Sequence, residues 1–483
     1  MEFFARGLSS TYEAEHVARL FFPRLTMAKR RPGKSSEAVW VTQTKQWLWC
    51  AVRCPQGKAF QKQRYTSETD VEYEVCRMLF SLLRDVTGNT PLWGMLTGVR
   101  PVRLLHDLRK KGMSDEQLDD FFLRRHFVLP EKLALAKEIE QNQAPVRAMT
   151  TPRSVSVYIS IPFCPSRCSY CSFVSRTTEQ SRALMEPYVD CLLLEIAQTA
   201  KLIETLHLKL ETIYIGGGTP TAITAAQLRR VMQAVKDQFD LSKVREYTVE
   251  AGRPDCTDEE KLGIIYELGA TRISINPQTL SDRVLAAIGR RHTAQDILDC
   301  FAAARRVGHR NINMDLIAGL PQDTVKGFEE SLRGVAALQP ENITVHTLTM
   351  KRASNLVIDG AESPEADVAR MLEACAALAE QDYAPYYLYR QKGTLQNLEN
   401  TGYCKPGFTG LYNVFIMEEL HTILSVGAGG STKLVAPGGH IERIFNFKYP
   451  TEYVNDFARI TEKKEGVNAF YGKYFNLDSE TVG

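Results

Sequence analysis

The sequence predicts an α/β protein built on a parallel sheet, and three observations predict it. From about residue 150 to residue 350, short β-branched runs alternate with longer amphipathic stretches at a period of roughly 30 to 40 residues, the rhythm of successive βαβ units. Chemically suggestive residues fall just past the ends of those runs, where a parallel α/β architecture assembles its site. The chain has 483 residues and is 44% hydrophobic, long enough for two or three units that each bury a core.

Before residue 150 the texture differs. SEAVWVTQTKQWLWCAVRC and KAFQKQRYT alternate apolar and polar residues as antiparallel strands do, and the stretch from Thr69 to about Gln143 turns helical. QNQAPVRAMTTPRS, polar and carrying two prolines, reads as a linker. The strand candidates that follow are residues 155–162, 212–217, 247–251, 271–276, 311–317 and 342–348. Between them EPYVDCLLLEIAQTAKLIETL, AAQLRRVMQAVKDQF, DEEKLGIIYELG, AQDILDCFAAARRVG and VKGFEESLRGVAAL read as helices. Six such units fit either a doubly wound sheet or a partial barrel.

Each strand candidate ends in a feature of its own. The first runs into a cysteine cluster and the second into GGGTPT, Gly216 to Thr221. The third ends in Glu250, and the fourth leads into Asn276, Pro277 and Gln278. The fifth carries Asp315 ahead of AGLP, and the sixth holds His346 near its end. A parallel fold would bring all of these to one rim.

Eleven cysteines invite scrutiny, but eight (Cys50, Cys54, Cys76, Cys191, Cys256, Cys300, Cys375, Cys404) are scattered in the manner of small core residues. Cys164, Cys168 and Cys171 sit together in IPFCPSRCSYCSF, a C-x3-C-x2-C spacing on a Pro-, Ser- and Arg-rich loop. Three thiolates so placed can converge on one inorganic centre, since soft sulfur suits zinc, copper(I) or iron–sulfur clusters. A closed structural zinc site needs a fourth ligand, and no histidine or further cysteine lies between Tyr158 and Ser175, which leaves only a distant one. A four-iron cluster held at three corners would keep its last iron for an external ligand.

The order of motifs, CxxxCxYC after YISIPFC, then GGGTPT, a strand ending in Glu, ISINPQT, GRRHT and MDLIAGLP, resembles the radical S-adenosylmethionine (SAM) superfamily. Within it the chain is similar to the oxygen-independent coproporphyrinogen III dehydrogenase group, and most of all to its HemZ-type members. The motifs span about residues 154 to 350, with fainter similarity in the flanks. The resemblance implies a partial (β/α)6 TIM-like barrel of the radical SAM type over 151–385, an N-terminal α/β accessory domain over 1–150 and a C-terminal accessory region over 386–483 that closes the barrel. It also implies a [4Fe–4S] cluster on Cys164, Cys168 and Cys171 whose open iron chelates SAM, and reductive cleavage of SAM to a 5′-deoxyadenosyl radical. Gly216, Gly217, Gly218 and Thr219 would border the methionine amino group; Glu250, Gln278, Arg290 and Asp315 would hold the rest of the cofactor; Tyr158 and Phe173 would lie beside the cluster, Tyr158 in the family's catalytic tyrosine position.

The substrate implied is a tetrapyrrole. Coproporphyrinogen III would lose carbon dioxide from two propionates to give the vinyl groups of protoporphyrinogen IX. Its carboxylates call for cations such as Lys351, Arg352 and Arg390, the last beside YYLYR. Two positions depart from the dehydrogenase pattern: Ser160 stands where those enzymes carry histidine, and Phe173 where they carry a fourth cysteine. CSYCSF is instead the form of the related haem chaperones, so haem binding stays open beside turnover, as does a SAM-dependent methylation or ring opening of haem.

Other features narrow the partners. A net charge of +2 with 24% charged residues argues against nucleic acid or an acidic lipid surface. The first 25 residues lack the basic and apolar regions of a signal peptide, and no run approaches the roughly 18 apolar residues of a membrane span, so a cytoplasmic location is expected. The basic segment LTGVRPVRLLHDLRKKG could dock flavodoxin or ferredoxin as electron donor. GAGGST, Gly427 to Thr432, lacks the lysine order of a phosphate loop and reads as a glycine-rich turn near the barrel mouth.

Overall fold

The computed structural model describes residues 1–33, 36–171, 176–351, 354, 356 and 367–475. The chain divides into two compact units, Met1–Glu140 with Leu388–Glu399, and Gln141–Tyr387 with Asn400–Gly483.

In the first unit the strands β1 (Glu2–Arg6), β2 (Thr26–Met27), β3 (Ala38–Gln43), β4 (Trp47–Cys54) and β5 (Gly57–Arg64) form a sheet in the order β2-β1-β3-β4-β5. The alternation read in the sequence is the pleat: Leu48, Cys50 and Val52 of β4 point into a core with Phe3, Val39, Val41, Leu79, Phe80 and Leu83. Helices Tyr12–Phe21 and Val71–Thr87 supply the other side of that core. The second begins where the Asp70 side chain accepts from the Tyr73 amide at 3.1 Å and stops at Gly88, whose φ is 70°. A second core gathers Trp93, Val102, Leu105, Leu118, Phe122, Leu133, Ile139 and Leu388.

In the second unit six parallel strands, β6 (Ser154–Ile161), β9 (Lys209–Gly217), β10 (Glu246–Glu250), β11 (Arg272–Gln278), β12 (Ile312–Ala318) and β13 (Asn342–Thr347), pair in chain order. A doubly wound sheet would reverse its strand order at a switch point. Each of these six adds to the same side as the one before, the order that curls into a barrel. A two-residue parallel pair, β7 (Phe163–Cys164) with β8 (Arg176–Thr177), follows the first barrel strand. Beyond β13 the sheet continues with β14 (Ala384–Arg390) and β15 (Glu399–Cys404), of which β15 is antiparallel to β13. On the other flank β16 (Thr422–Val426) runs parallel to β6 and leads into an antiparallel hairpin of β17 (Ser431–Val435) and β18 (Ile441–Phe445).

Helices Arg182–Thr205, Ala225–Gln238, Glu259–Glu267, Ala294–Val307 and Val325–Ala337 connect the barrel strands. Four of them start at side chains that accept from their own first turn: Thr224, Asp258, Thr293 and Thr324. The stretch read as a linker is different. Residues 130–148 form one helix despite Pro145, because its polar residues are anchored: Asn142 donates to the Pro385 carbonyl at 2.8 Å and buried Gln143 to the Tyr386 carbonyl at 3.0 Å. Among the described residues no helix is long and apolar enough to cross a membrane.

Candidate functional site

Period-two alternation decides which side chains enter the barrel. On β6 the residues Val155, Val157, Ile159 and Ile161 are buried with the apolar core, while Ser156, Tyr158 and Ser160 share the opposite face. Strand register then carries a polar row across the sheet: Ser160 pairs with Gly216, Glu250 with Ser274, and Ser274 with Asn313. Its far end is joined by hydrogen bonds. Asn313 donates to Ser274 Oγ at 2.8 Å and to Asp315 Oδ1 at 2.7 Å, and Thr344 donates to Asn313 Oδ1 at 2.9 Å.

Below this row lie three stacked tyrosines. The Tyr214 and Tyr412 rings are 4.5 Å apart, with Tyr158 at 6.0 and 6.3 Å from them. Tyr214 Oη donates to Glu250 Oε1 at 2.7 Å. Burial pushes the Glu250 carboxyl up to about 7, against the Tyr214 hydrogen bond and helped by the nearby Asp315 charge. Burial also drives the phenols of Tyr158 and Tyr214 upward, so both stay protonated. For Asp315 burial pulls upward too, but His346, whose Nε2 is 3.6 Å from Oδ2, and the Asn313 amide outweigh it and hold the carboxyl below its ordinary value.

The cysteine loop follows β6. Cys164 and Cys168 are buried and Cys171 half-buried, with the Cys171 amide donating to the Cys168 carbonyl at 3.1 Å. Among the described residues no three His, Cys, Asp or Glu side chains already stand close enough to hold a metal. The glycine turn packs directly on this loop. A Cβ on Gly218 would come within 2.6 Å of the Phe163 carbonyl oxygen and 3.0 Å of Cys164 Sγ, and Gly217 has a φ of 115°, open only to glycine at low cost. The Gly218 amide donates to Ile161 O at 2.9 Å and the Thr219 amide to Phe163 O at 2.7 Å, while the Thr219 hydroxyl donates to Cys164 Sγ at 3.5 Å.

Gln278, at the end of β11, is buried with a left-handed φ of 69°, an uncommon backbone state for a residue with a side chain. Arg290 is buried as well. Its Nη1 donates to Asn276 O at 2.5 Å and its Nη2 to Tyr170 Oη at 3.3 Å, and its Nε is buried without a partner among the described residues.

Comparison with known proteins decides the family. The profile of the Radical SAM superfamily matches residues 158–335. Over 402 residues, 82% of this chain and 80% of the relative, the sequence is 40% identical to the oxygen-independent coproporphyrinogen-III oxidase-like protein HemZ of Bacillus subtilis (strain 168). The chain belongs to the HemZ-like group of the radical SAM superfamily. It is also 39% identical to the heme chaperone HemW of the same organism, over 41% of this chain and 51% of that one. In fold it is similar to the radical SAM enzyme coproporphyrinogen III oxidase (HemN) of Escherichia coli, with a TM-score of 0.52 at 23% identity over 67% of this chain and 73% of that one.

Membership of the radical SAM superfamily implies a [4Fe–4S] cluster and SAM, and the residues present fit both. The donor set is three thiols on one loop, with the glycine turn a cradle that any Cβ would fill. A buried guanidinium, that of Arg290, keeps an unpartnered N–H. Tyr158, Gly216, Gly217, Gly218, Thr219, Glu250, Gln278 and Asp315 lie at or below the carboxyl ends of the barrel strands, and Arg290, past the helix Asp282–Ala287, reaches back to Asn276 O. Phe173 and Arg352 lie outside the described residues.

The other cation candidates separate. Lys351 is half-buried and lies close enough to Cys171 for the thiol to pull against the burial that lowers its ammonium pKa. Arg390, offered above as a substrate contact, is committed elsewhere. Its guanidinium is buried and donates to the carbonyls of Leu96 at 2.7 Å, Gly98 at 3.3 Å and Asn397 at 3.0 Å, all in the first unit, 5.6 Å from the Trp93 ring centroid. The basic segment around helix Pro101–Lys110 is partly neutralised within its own unit, since Arg109 meets Glu140 at 3.1 Å and Asp115 at 2.9 Å. At the GAGGST turn the amides of Gly427 and Ala428 are taken by Glu195 at 2.7 Å and Tyr188 at 2.9 Å, while Ser160 Oγ donates to Ala428 O at 2.8 Å. That turn packs on the end of β6 with its donors spent.

Sequence reasoning missed Arg253, Asp255 and His292. The signal was present as RPD, separated from Glu250 by two residues, a charged pair just beyond the end of a barrel strand. Tyr214 and Tyr412 were passed over because core tyrosines carry no motif.

Proposed function

We propose that the protein is a radical SAM enzyme of tetrapyrrole metabolism that oxidatively decarboxylates the propionates of coproporphyrinogen III to vinyl groups without oxygen, giving protoporphyrinogen IX. The observation that carries this reading is the match over four-fifths of both chains to a coproporphyrinogen-III oxidase-like relative. Each converted propionate loses carbon dioxide, one hydrogen atom and one electron.

Cys164, Cys168 and Cys171 would hold the cluster, and the Gly216–Gly218 turn, Glu250, Gln278, Arg290 and Asp315 would hold SAM. Together the two groups supply a 5′-deoxyadenosyl radical able to take a hydrogen atom from an unactivated carbon. The chain's own part is placement. The glycine turn offers backbone without side-chain bulk next to Cys164. Glu250, near 7, can accept from an ammonium or hydroxyl when ionised, and Tyr214 fixes its orientation. Lys351, beside the cysteine loop, would meet a substrate carboxylate. The electron that cleaves SAM would come from flavodoxin or ferredoxin, the electron released by each propionate would pass to a separate one-electron acceptor, and the reaction would take place in the cytoplasm.

A second reading is haem binding in the manner of a chaperone, favoured by the 39% identity to HemW and by Ser160 and CSYCSF in the departing positions. The two are separated by anaerobic incubation of the reconstituted protein with SAM, a reductant and coproporphyrinogen III. Products lighter by one carbon dioxide and two hydrogens per propionate are expected. SAM cleavage without vinyl products, together with stoichiometric haem retention, would replace the enzyme reading with the chaperone one.

A further inference from the structure

Just past β10 the chain buries a complete ion pair under the cysteine loop. Arg253 is 3% exposed. On one side its Nε and Nη2 meet the two carboxylate oxygens of Asp255 at 2.9 and 2.6 Å, a bidentate fork. On the other side Nη1 donates to Ser166 O at 2.9 Å and Nη2 to Ser166 Oγ at 2.9 Å, and Nη1 lies 3.7 Å from Cys168 Sγ. Behind Asp255 stands His292, fully enclosed, its Nδ1 3.6 Å from Oδ1. The segment is itself immobilised: Lys261 donates to Cys256 O at 2.9 Å and Thr221 O at 2.8 Å, and the Thr221 and Thr257 hydroxyls meet at 2.8 Å.

Removing a guanidinium and a carboxylate from water costs several kcal/mol per ion, and packing alone would be served as well by apolar side chains. The geometry therefore calls for a use of the charge. Its contacts on the loop are Ser166, midway between Cys164 and Cys168, and the Cys168 sulfur itself. Cys164 Sγ accepts from the neutral Thr219 hydroxyl at 3.5 Å. Hydrogen bonds to ligand sulfurs and nearby charge set the potential of an iron–sulfur centre, and a fixed cation favours the reduced state, which carries one more negative charge.

Resting on the reading that the three cysteines hold a [4Fe–4S] cluster, we propose that Arg253 is a positioning residue for that cluster. Its fork clamps the loop at Ser166, and its charge at Cys168 raises the cluster's reduction potential. Asp255 and His292 orient the fork from behind.

The test uses full-length protein reconstituted anaerobically as wild type, R253Q and R253K, with iron and acid-labile sulfide counted, the midpoint read by electron paramagnetic resonance during a redox titration, and cluster loss to a chelator timed. R253Q is expected to lower the reduced-to-oxidised ratio at a fixed potential about tenfold, a shift of about 59 mV for a one-electron couple. R253K keeps the charge and loses the fork, so its midpoint should stay near wild type while its cluster leaves faster. An R253Q protein with the wild-type midpoint overturns the inference alone. Wild-type protein that takes up no iron or sulfide overturns the cluster reading, and this inference with it. If circular dichroism shows R253Q unfolded, R253K decides: chelation at the wild-type rate overturns the clamp.

Discussion

Replacing Glu250 with glutamine removes the one carboxylate of the barrel interior that burial holds near neutrality, and the consequence can be worked out. The group moves from an ordinary value of 4.5 to about 7 on folding, burial being the largest cause. Folding therefore takes up a proton between those values, and stability falls as pH rises through the window, because the native state binds more protons than the unfolded one there. Both forms are protonated below pH 4.5, where nothing is lost, and both are ionised well above 7, where the full cost is paid. A difference of about 2.5 pKa units corresponds to about 3 kcal/mol, of which about 2 kcal/mol falls between pH 5.5 and 8.5. Asp315, whose charge helps to raise Glu250, is held below its ordinary value and stays ionised across that range, so the quantity to measure there is the difference between the urea-unfolding free energies of wild type and E250Q. The near-ultraviolet signal of the Tyr158, Tyr214 and Tyr412 stack reports the second unit. Wild type should lose about 2 kcal/mol relative to E250Q on going to the higher pH. Parallel profiles would mean that Glu250 is ionised in the folded protein at every pH, and would refute the assignment of burial as the dominant influence.

Two further outcomes follow from the site and its surroundings. G218A should fold less stably by about 1–3 kcal/mol and retain less iron after reconstitution, because the added methyl meets the Phe163 backbone at 2.6 and 2.9 Å, which cannot rotate away; wild-type thermal stability and iron content would show that the turn has more room than its packing indicates. R390A should weaken unfolding of the first unit by about 2–4 kcal/mol by leaving the Leu96 and Asn397 carbonyls unpaired, with no change in KM for a tetrapyrrole; a raised KM at unchanged stability would restore the substrate role.

The barrel was legible because its strands write β-branched runs, as where Val155, Val157 and Ile159 alternate with Ser156, Tyr158 and Ser160, and because four connecting helices announce themselves with Thr or Asp caps. Residue patterns alone left a doubly wound sheet open; strand order closed that question, and strand order is a property of pairing that no local run encodes. The last turns of the helix ending at Ala148, from Gln141 on, were misread as linker for a related reason. Gln143 looks solvated in sequence, yet it is buried and bonded to a strand carbonyl more than two hundred residues away. Arg390 shows the same failure in the site: an arginine beside aromatics suits a carboxylate, and nothing local reveals that the carbonyls of Leu96, Gly98 and Asn397 already occupy it.

The arrangement of the barrel strands also explains how an interior can afford so much polarity. Closed barrels of this general type fill their centre with layers of branched apolar side chains. Here Ser156, Tyr158, Glu250, Arg272, Ser274, Asn313 and Asp315 occupy inward positions, and Arg272 is buried entirely, with its Nη2 3.2 Å from Asn342 Oδ1. Stability must then come from the opposite face of the same strands, where Val157, Ile159, Ile213, Ile215, Val249, Ile273 and Ile275 are all fully buried. Because side chains alternate with period two, the apolar belt and the polar interior are set independently by odd and even positions, so a change inside the barrel need not touch the belt. What limits such changes is hydrogen-bond satisfaction. Asn313 links Ser274, Asp315 and Thr344, and replacing it with leucine, close in size, would take one hydrogen bond from each of the three at once. The interior is therefore constrained as a network, and the side chains at its rim inherit their rigidity from those bonds rather than from packed hydrocarbon.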